Sequence, residues 1–173
     1  MSTSLDFATL SLMDALDLAT LIEVEAHQRY EMFAAQLGRR GTGDPASAFK
    51  SMAENEAKHG RQISERRKAL FGDTPARVTL GDLFDVEAPD MGAPRSTMST
   101  LQAFEVALSS EQKAFDFYDQ ALGHITEPEI VALFTELRDE ETEHINMVRE
   151  AIAGLPASAR IEYEIDHDES PYL

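Results

Sequence analysis

Apolar residues recur along this chain at helical rather than strand spacing, in four runs separated by glycines and prolines. A period near 3.6 gathers each set onto one stripe, so each run predicts an amphipathic helix. The first helix begins near Ser11, with Asp14 placed for a variant capping box, and runs to the Gly38–Gly41 region with Leu16, Ala19 and Ala26 on its inner stripe. Asp44 and Pro45 form a start signal for the second, whose stripe holds Phe49, Met52 and Ile63 and which stops before Phe71-Gly72. The third starts near Ser99, with Gln102 completing a capping box, and ends at Gly123; its stripe reads Leu101, Phe104, Leu108, Phe115 and Leu122. The fourth opens at Thr126-Glu-Pro-Glu129, a further capping box, and ends at Gly154-Leu-Pro156.

Between the second and third helices, residues 72–97 contain Pro75, Pro89 and Pro94 and lack helical period. That length exceeds a tight turn and predicts a crossover from one end of a bundle to the other, with Val78–Leu80 and Leu83-Phe84 packed against it. The fold class is all-α, an antiparallel four-helix bundle over residues 11–154. A flexible stretch, 1–10, precedes it, and an acidic tail, 155–173, follows. In that tail Ile161–His167 alternates with period 2 and reads as extended chain rather than a fifth helix.

With 173 residues the chain suits one domain with a sizeable core. Its formal charge of −17 argues against nucleic acid and anionic membrane as partners, since both select a basic face. No run approaches the roughly 18 apolar residues of a membrane span, and the N-terminus lacks the order of a signal peptide. Without cysteine there is no disulfide, thiolate metal site or thiol nucleophile, and the expected location is cytoplasmic.

Polar residues interrupt the four stripes in a repeated way. Glu23 and Tyr30 stand on the first, Glu56 and His59 on the second, Glu111 and Tyr118 on the third, and Glu141 and His144 on the fourth. The first pair maps onto the third, and the second onto the fourth, with spacing preserved within each pair. Glu164 and His167 share the carboxylate–imidazole spacing in the non-helical tail, so a single such pair says little. Two helical copies on apolar stripes say more. Burying four carboxylates costs several kcal/mol for each unpaired charge. The basic residues nearby do not offset this, because Lys58, Arg61 and Lys113 face away and Arg138 sits at the edge of its stripe. Two divalent cations against four glutamates and two neutral histidines sum to zero. The pattern predicts a dinuclear metal site, and oxygen donors with imidazole suit iron, manganese or zinc.

These motifs, with the long connection in the middle, resemble the ferritin-like di-iron carboxylate proteins, above all the rubrerythrins, over roughly residues 12–153. The resemblance implies a ferritin-like bundle, Glu23 and Glu111 as terminal ligands, Glu56 and Glu141 as bridging ligands, and His59 and His144 with one metal each. It also implies two iron ions as cofactor, dioxygen or hydrogen peroxide and iron as reactants, an external electron donor and a homodimer. The activity it implies is oxidation of Fe(II) or reduction of dioxygen or peroxide. Rubrerythrins usually carry a further glutamate where this chain has Ala114, and often a cysteine-rich electron-donor module, whereas this chain has no cysteine. Two other readings stay open, a di-iron monooxygenase acting on an organic substrate and a non-catalytic metal-binding module. Tyr30 and Tyr118 are candidate catalytic residues, hydrogen-bonding a ligand or donating an electron, and read equally as core tyrosines. Asn55 and Glu140 are candidates for orienting the histidines. His27 reads as a boundary histidine, His124 as a helix-end residue and His167 as part of a solvated tail.

Overall fold

The computed structural model describes residues 6–37, 45–79, 95 and 97–161. Among these are four long helices, α1 (Leu12–Leu37), α2 (Pro45–Phe71), α3 (Thr100–Leu122) and α4 (Pro128–Ala153), with 3-10 turns at Phe7–Thr9 and Ala157–Arg160 and no strand. Asp44, Leu83, Phe84 and the tail beyond Ile161 lie outside the described residues. Ahead of α1, Asp6 caps the first 3-10 turn, and Phe7 meets Phe117 edge-on at 5.5 Å.

Local chemistry sets most of the helix ends. The Asp14 N–H donates to Ser11 Oγ at 3.1 Å, while the Ser11 hydroxyl donates back to the Asp14 carboxylate. Ser99 and Gln102 form the reciprocal capping box on α3, which ends at Gly123. The start of α4 differs from expectation. Its N-cap is Glu127, without a side-chain hydrogen bond, so Thr126 and Glu129 form no capping box. Pro128 is the reason: its fixed φ and missing N–H suit the first helical position, which moves the cap one residue past Thr126. Helix α2 includes Phe71, and Gly72 follows at φ 58°, a left-handed conformation that glycine adopts without a Cβ clash.

Two apolar clusters fill the bundle. One contains Leu16 and Ile22 of α1, Ile63 of α2, Tyr118 of α3 and Phe134 and Leu137 of α4. The other contains Phe33 and Leu37 of α1, Phe49 and Met52 of α2, Ala103 and Ala107 of α3 and Val148 of α4. Going up the sequence, α1 and α4 therefore run from the first cluster to the second, while α2 and α3 run the opposite way. Helix α1 pairs with α2, and α3 with α4. Because α2 and α3 are parallel, the chain must return the length of the bundle between Phe71 and Thr100, as a long crossover requires. Val78, on the described part of that connection, packs against the first cluster. This is the ferritin-like four-helix arrangement.

The inner stripe of α3 is rotated from the expected one. Ala103, Ala107, Ala114 and Ala121 are buried, whereas Leu101, Phe104, Leu108, Phe115 and Leu122 are only half-buried. Small side chains face the centre where the helix lies close to its neighbours, and the bulky ones seal its flanks. Burying a large apolar side chain is worth roughly 1.5–3 kcal/mol. The two clusters, with Phe33, Phe49 and Phe134 almost wholly enclosed, thus hold the helices together.

Basic residues tie the start of the crossover to α1. Arg67 donates through Nε to Asp17 at 2.7 Å and through Nη1 to the Gly72 carbonyl at 2.9 Å. Arg77 donates through Nη2 to Asp14 at 2.7 Å.

Candidate metal centre

Between the two apolar clusters each helix contributes polar side chains at one level: Glu23 from α1, Glu56 and His59 from α2, Glu111 from α3, and Glu141 and His144 from α4. Helical spacing brings them there, since Glu56 and His59, like Glu141 and His144, are less than a turn apart on one face. The four carboxylates are at most 1% exposed, and the His144 residue is 6% exposed. The His59 side chain reaches 12%.

The imidazoles stack face to face, with centroids 5.0 Å apart and planes 3° from parallel. His59 Nδ1 lies 4.0 Å from Glu23 Oε2. His144 Nδ1 lies 3.0 Å from Glu111 Oε2, 3.6 Å from Glu141 Oε2 and 3.8 Å from Glu56 Oε1. Donor atoms of Glu56, His59 and His144 fall within 4.8 Å of one another, as do those of Glu111, Glu141 and His144. The structure thus brings together all six glutamates and histidines that the repeat singled out.

The electrostatics are those of crowded acids. Burial pushes the Glu56 carboxyl well above the ordinary carboxylate range, and the charges of Glu111, Glu23 and Glu141 add to it. Neither Glu56 oxygen accepts a hydrogen bond. Burial also lowers His59, to about 4, helped by the neighbouring His144 and Lys58 and opposed by Glu111. His144 moves the other way. Its burial disfavours charge, but the hydrogen bond to Glu111 and the carboxylates of Glu111, Glu56 and Glu140 prevail and raise its pKa. One imidazole is therefore held neutral while the other leans on a carboxylate.

The tyrosines flank this layer, both wholly buried. The Tyr30 hydroxyl donates to Glu111 Oε1 at 2.8 Å. Tyr118 packs edge-on against Phe134 at 5.3 Å. Lys58 and Arg61 are exposed, and Arg138 is engaged by Asp119 at 3.3 Å and Asp139 at 3.1 Å. Ala114 is buried, so α3 presents one carboxylate to this layer. Asn55 and Glu140 are half-buried, and Glu140 shares a small pocket with His59. His27 donates from Nδ1 to the Ala53 carbonyl at 2.8 Å, at the edge of the bundle as expected. His124 is exposed, and His167 lies outside the described residues.

Gly60, which sequence reasoning passed over, also belongs to this region. It is buried inside α2, and a Cβ there would stand 3.3 Å from Glu23 Cβ. A glycine inside a helix costs about 1 kcal/mol relative to alanine, so its presence points to a close approach. The available signal was a break in the repeat: the residue after His59 is glycine, while the residue after His144 is Ile145. Beside Gly60 a cleft of about 420 Å³ opens between α1 and α2 and reaches Glu23 and Glu56.

Residues 14–152 match the family model described as Rubrerythrin. Among solved structures, the chain is similar to an uncharacterised conserved protein from Magnetospirillum magnetotacticum MS-1. The two share 25% identity and a TM-score of 0.67, over 85% of this chain and 97% of that one. A hypothetical protein from Pyrococcus furiosus shares the fold at 19% identity, with a TM-score of 0.52 over 84% of this chain and 90% of that one. No curated protein matches the chain.

Proposed function

Since the chain belongs to the rubrerythrin family, we propose that its buried carboxylate–imidazole layer holds two iron ions. In this reading the protein is a non-haem di-iron oxidoreductase that oxidises Fe(II) or reduces dioxygen or hydrogen peroxide. One observation carries it: Glu56, wholly buried, accepts no hydrogen bond and lies among three other carboxylates. Isolated buried acids are costly, and a cation shared among them removes both the repulsion and the unmet oxygen valence. The donor set fits such ions, being oxygen-rich with one imidazole for each half.

Glu23 and His59 would hold one ion and Glu111 and His144 the other, with Glu56 and Glu141 shared. His59 adjoining Glu23, and His144 adjoining Glu111, support that division. Bound iron would supply one-electron changes at two adjacent positions. The protein's own contribution is positional. Tyr30 fixes one oxygen of Glu111 while the other faces His144 Nδ1. The apolar clusters above and below lower the local dielectric, which strengthens every charge interaction within the layer. Ala114, in place of a further glutamate, leaves the six residues as the donor set and favours Fe(II) oxidation over self-contained peroxide turnover. Without cysteine, electrons would come from a separate donor.

Anaerobic loading with Fe(II), followed by addition of dioxygen or peroxide in separate runs, tests this. Two irons bound per chain and stoichiometric consumption of oxidant are expected, with both lost in Glu56→Gln. Iron that binds and stays inert toward both oxidants would sink the redox reading and leave a metal-binding module.

A further inference from the structure

The repeat that builds the metal layer is broken in what covers it. Position by position, Thr20, Val24 and His27 on α1 correspond to Leu108, Gln112 and Phe115 on α3. Ala57, Gly60 and Ser64 on α2 correspond to Thr142, Ile145 and Arg149 on α4. The second set is larger at each of these positions, and the grooves differ accordingly. The cleft between α1 and α2 penetrates to Glu23 and Glu56. The corresponding groove along α3 and α4 is lined by Leu108, Gln112 and Arg149, and neither Glu111 nor Glu141 is reached from it. Ile145, 5% exposed, stands on α4 at the position where α2 has Gly60, which packs its backbone close to Glu23 and lines the cleft.

We infer that the α1–α2 cleft beside Gly60 is the route by which metal ions exchange with solvent, so that the Glu23–His59 half loads and unloads first while Ile145 closes off the Glu111–His144 half. The route is polar where it has to be. Glu65, Ser64, His27 and the basic Arg61 line its wall, and Glu23 and Glu56, at most 1% exposed, close its floor, where an arriving cation would exchange water for carboxylate oxygen. The groove along α3 and α4 has carboxylates of its own, Glu105 and Asp116, but they stand beside Lys113 and Arg149, and its lining stops short of Glu111 and Glu141. Glu111, wholly buried, is held by Tyr30 on one oxygen and His144 on the other. This rests on the dinuclear reading above and goes beyond it by making the two positions unequal.

The test uses the full chain loaded with Co(II) alone, with release to excess EDTA followed by loss of the cobalt absorption. Two ions per chain should leave in two phases of equal amplitude, differing in rate by at least about tenfold. Gly60→Ala narrows the cleft but also presses on Glu23, so Ala57→Leu, which fills it from the side, is the decisive variant. It should slow the fast phase and spare the slow one. Ile145→Ala should speed the slow phase. Two ions leaving at one rate, or a fast phase indifferent to Ala57→Leu, would overturn the exchange route while leaving the dinuclear site standing. Fewer than two ions per chain would overturn both.

Discussion

Tyr30 on α1 donates its hydroxyl to Glu111 on α3, a bond of 2.8 Å that joins the two helical hairpins at the level of the glutamate–histidine layer. The other Glu111 oxygen lies 3.0 Å from His144 Nδ1, so the carboxylate is held from both sides. Tyr30→Phe keeps the buried ring and removes only the hydroxyl. It should cost about 1–2 kcal/mol in urea unfolding, because a buried acceptor loses its donor. Metal affinity should fall on the order of 10- to 100-fold, as expected when a group orienting a ligand is lost. Titration with Co(II) measures that. An unchanged affinity would reduce Tyr30 to a packing residue.

Glu56 makes the cost of the metal-free layer measurable. Burial and three neighbouring carboxylates raise its pKa, and no donor satisfies its oxygens. Glu56→Gln removes one negative charge from this group at nearly constant volume. The metal-free variant should be more stable than metal-free wild type by about 1–3 kcal/mol. Metal should then stabilise wild type strongly and the variant little, since ligand binding adds to stability only where the site survives. Thermal unfolding with and without Co(II) gives both comparisons.

Asp14 predicts a specific response to acid. Burial alone would raise its pKa, but hydrogen bonds from Ser11 and Arg77 and the Arg77 charge together lower it below 3.8. A folded-state pKa below the unfolded one means that the stabilisation is complete above the unfolded value and is lost as the pH falls through the folded one. Asp14→Asn should therefore be less stable than wild type at neutral pH, by about 0.5–1 kcal/mol. That gap should close as the pH drops below 3.8. Urea midpoints across an acid series would show whether the two curves converge.

The buried alanines of α3 leave no room for growth. Ala107, 1% exposed within the second apolar cluster, should tolerate leucine poorly, at a cost of about 1–3 kcal/mol. The neighbouring Leu108 is half-buried, and Leu108→Ala should cost less than the 2–5 kcal/mol typical of a fully buried leucine. A reversal of that order in equilibrium unfolding would mean that the stripe read from bulky residues is the true inner face.

Most of the bundle and the placement of the six polar residues were legible in the sequence because each depends on spacing within one helix. Ser11 with Asp14 and Ser99 with Gln102 are local signals that the structure repeats. What stayed hidden depends on neighbours. The inner face of α3 is set by how closely other helices approach, so Ala103 and Ala107 displaced Phe104 and Leu108 from the centre despite their lower hydrophobicity. Thr126 failed as a cap because Pro128 outranked it in choosing the first helical position. Gly60 drew no attention because glycine carries no chemistry, and its meaning lies in a contact with another helix. Arg67 and Arg77 reach α1 across long chain separations that periodicity does not register.

The separation of the interior into two apolar clusters by a layer of glutamates and histidines has a consequence for how the molecule comes apart. Each end carries its own oil-like contacts, and the middle gathers four buried carboxylates that repel one another. Emptied of ions, the bundle resembles two short barrels on shared staves with a weak hoop between them. On the proposed di-iron reading, loading should tighten that hoop. The sharpness of the melting transition, as well as its midpoint, therefore registers how full the centre is.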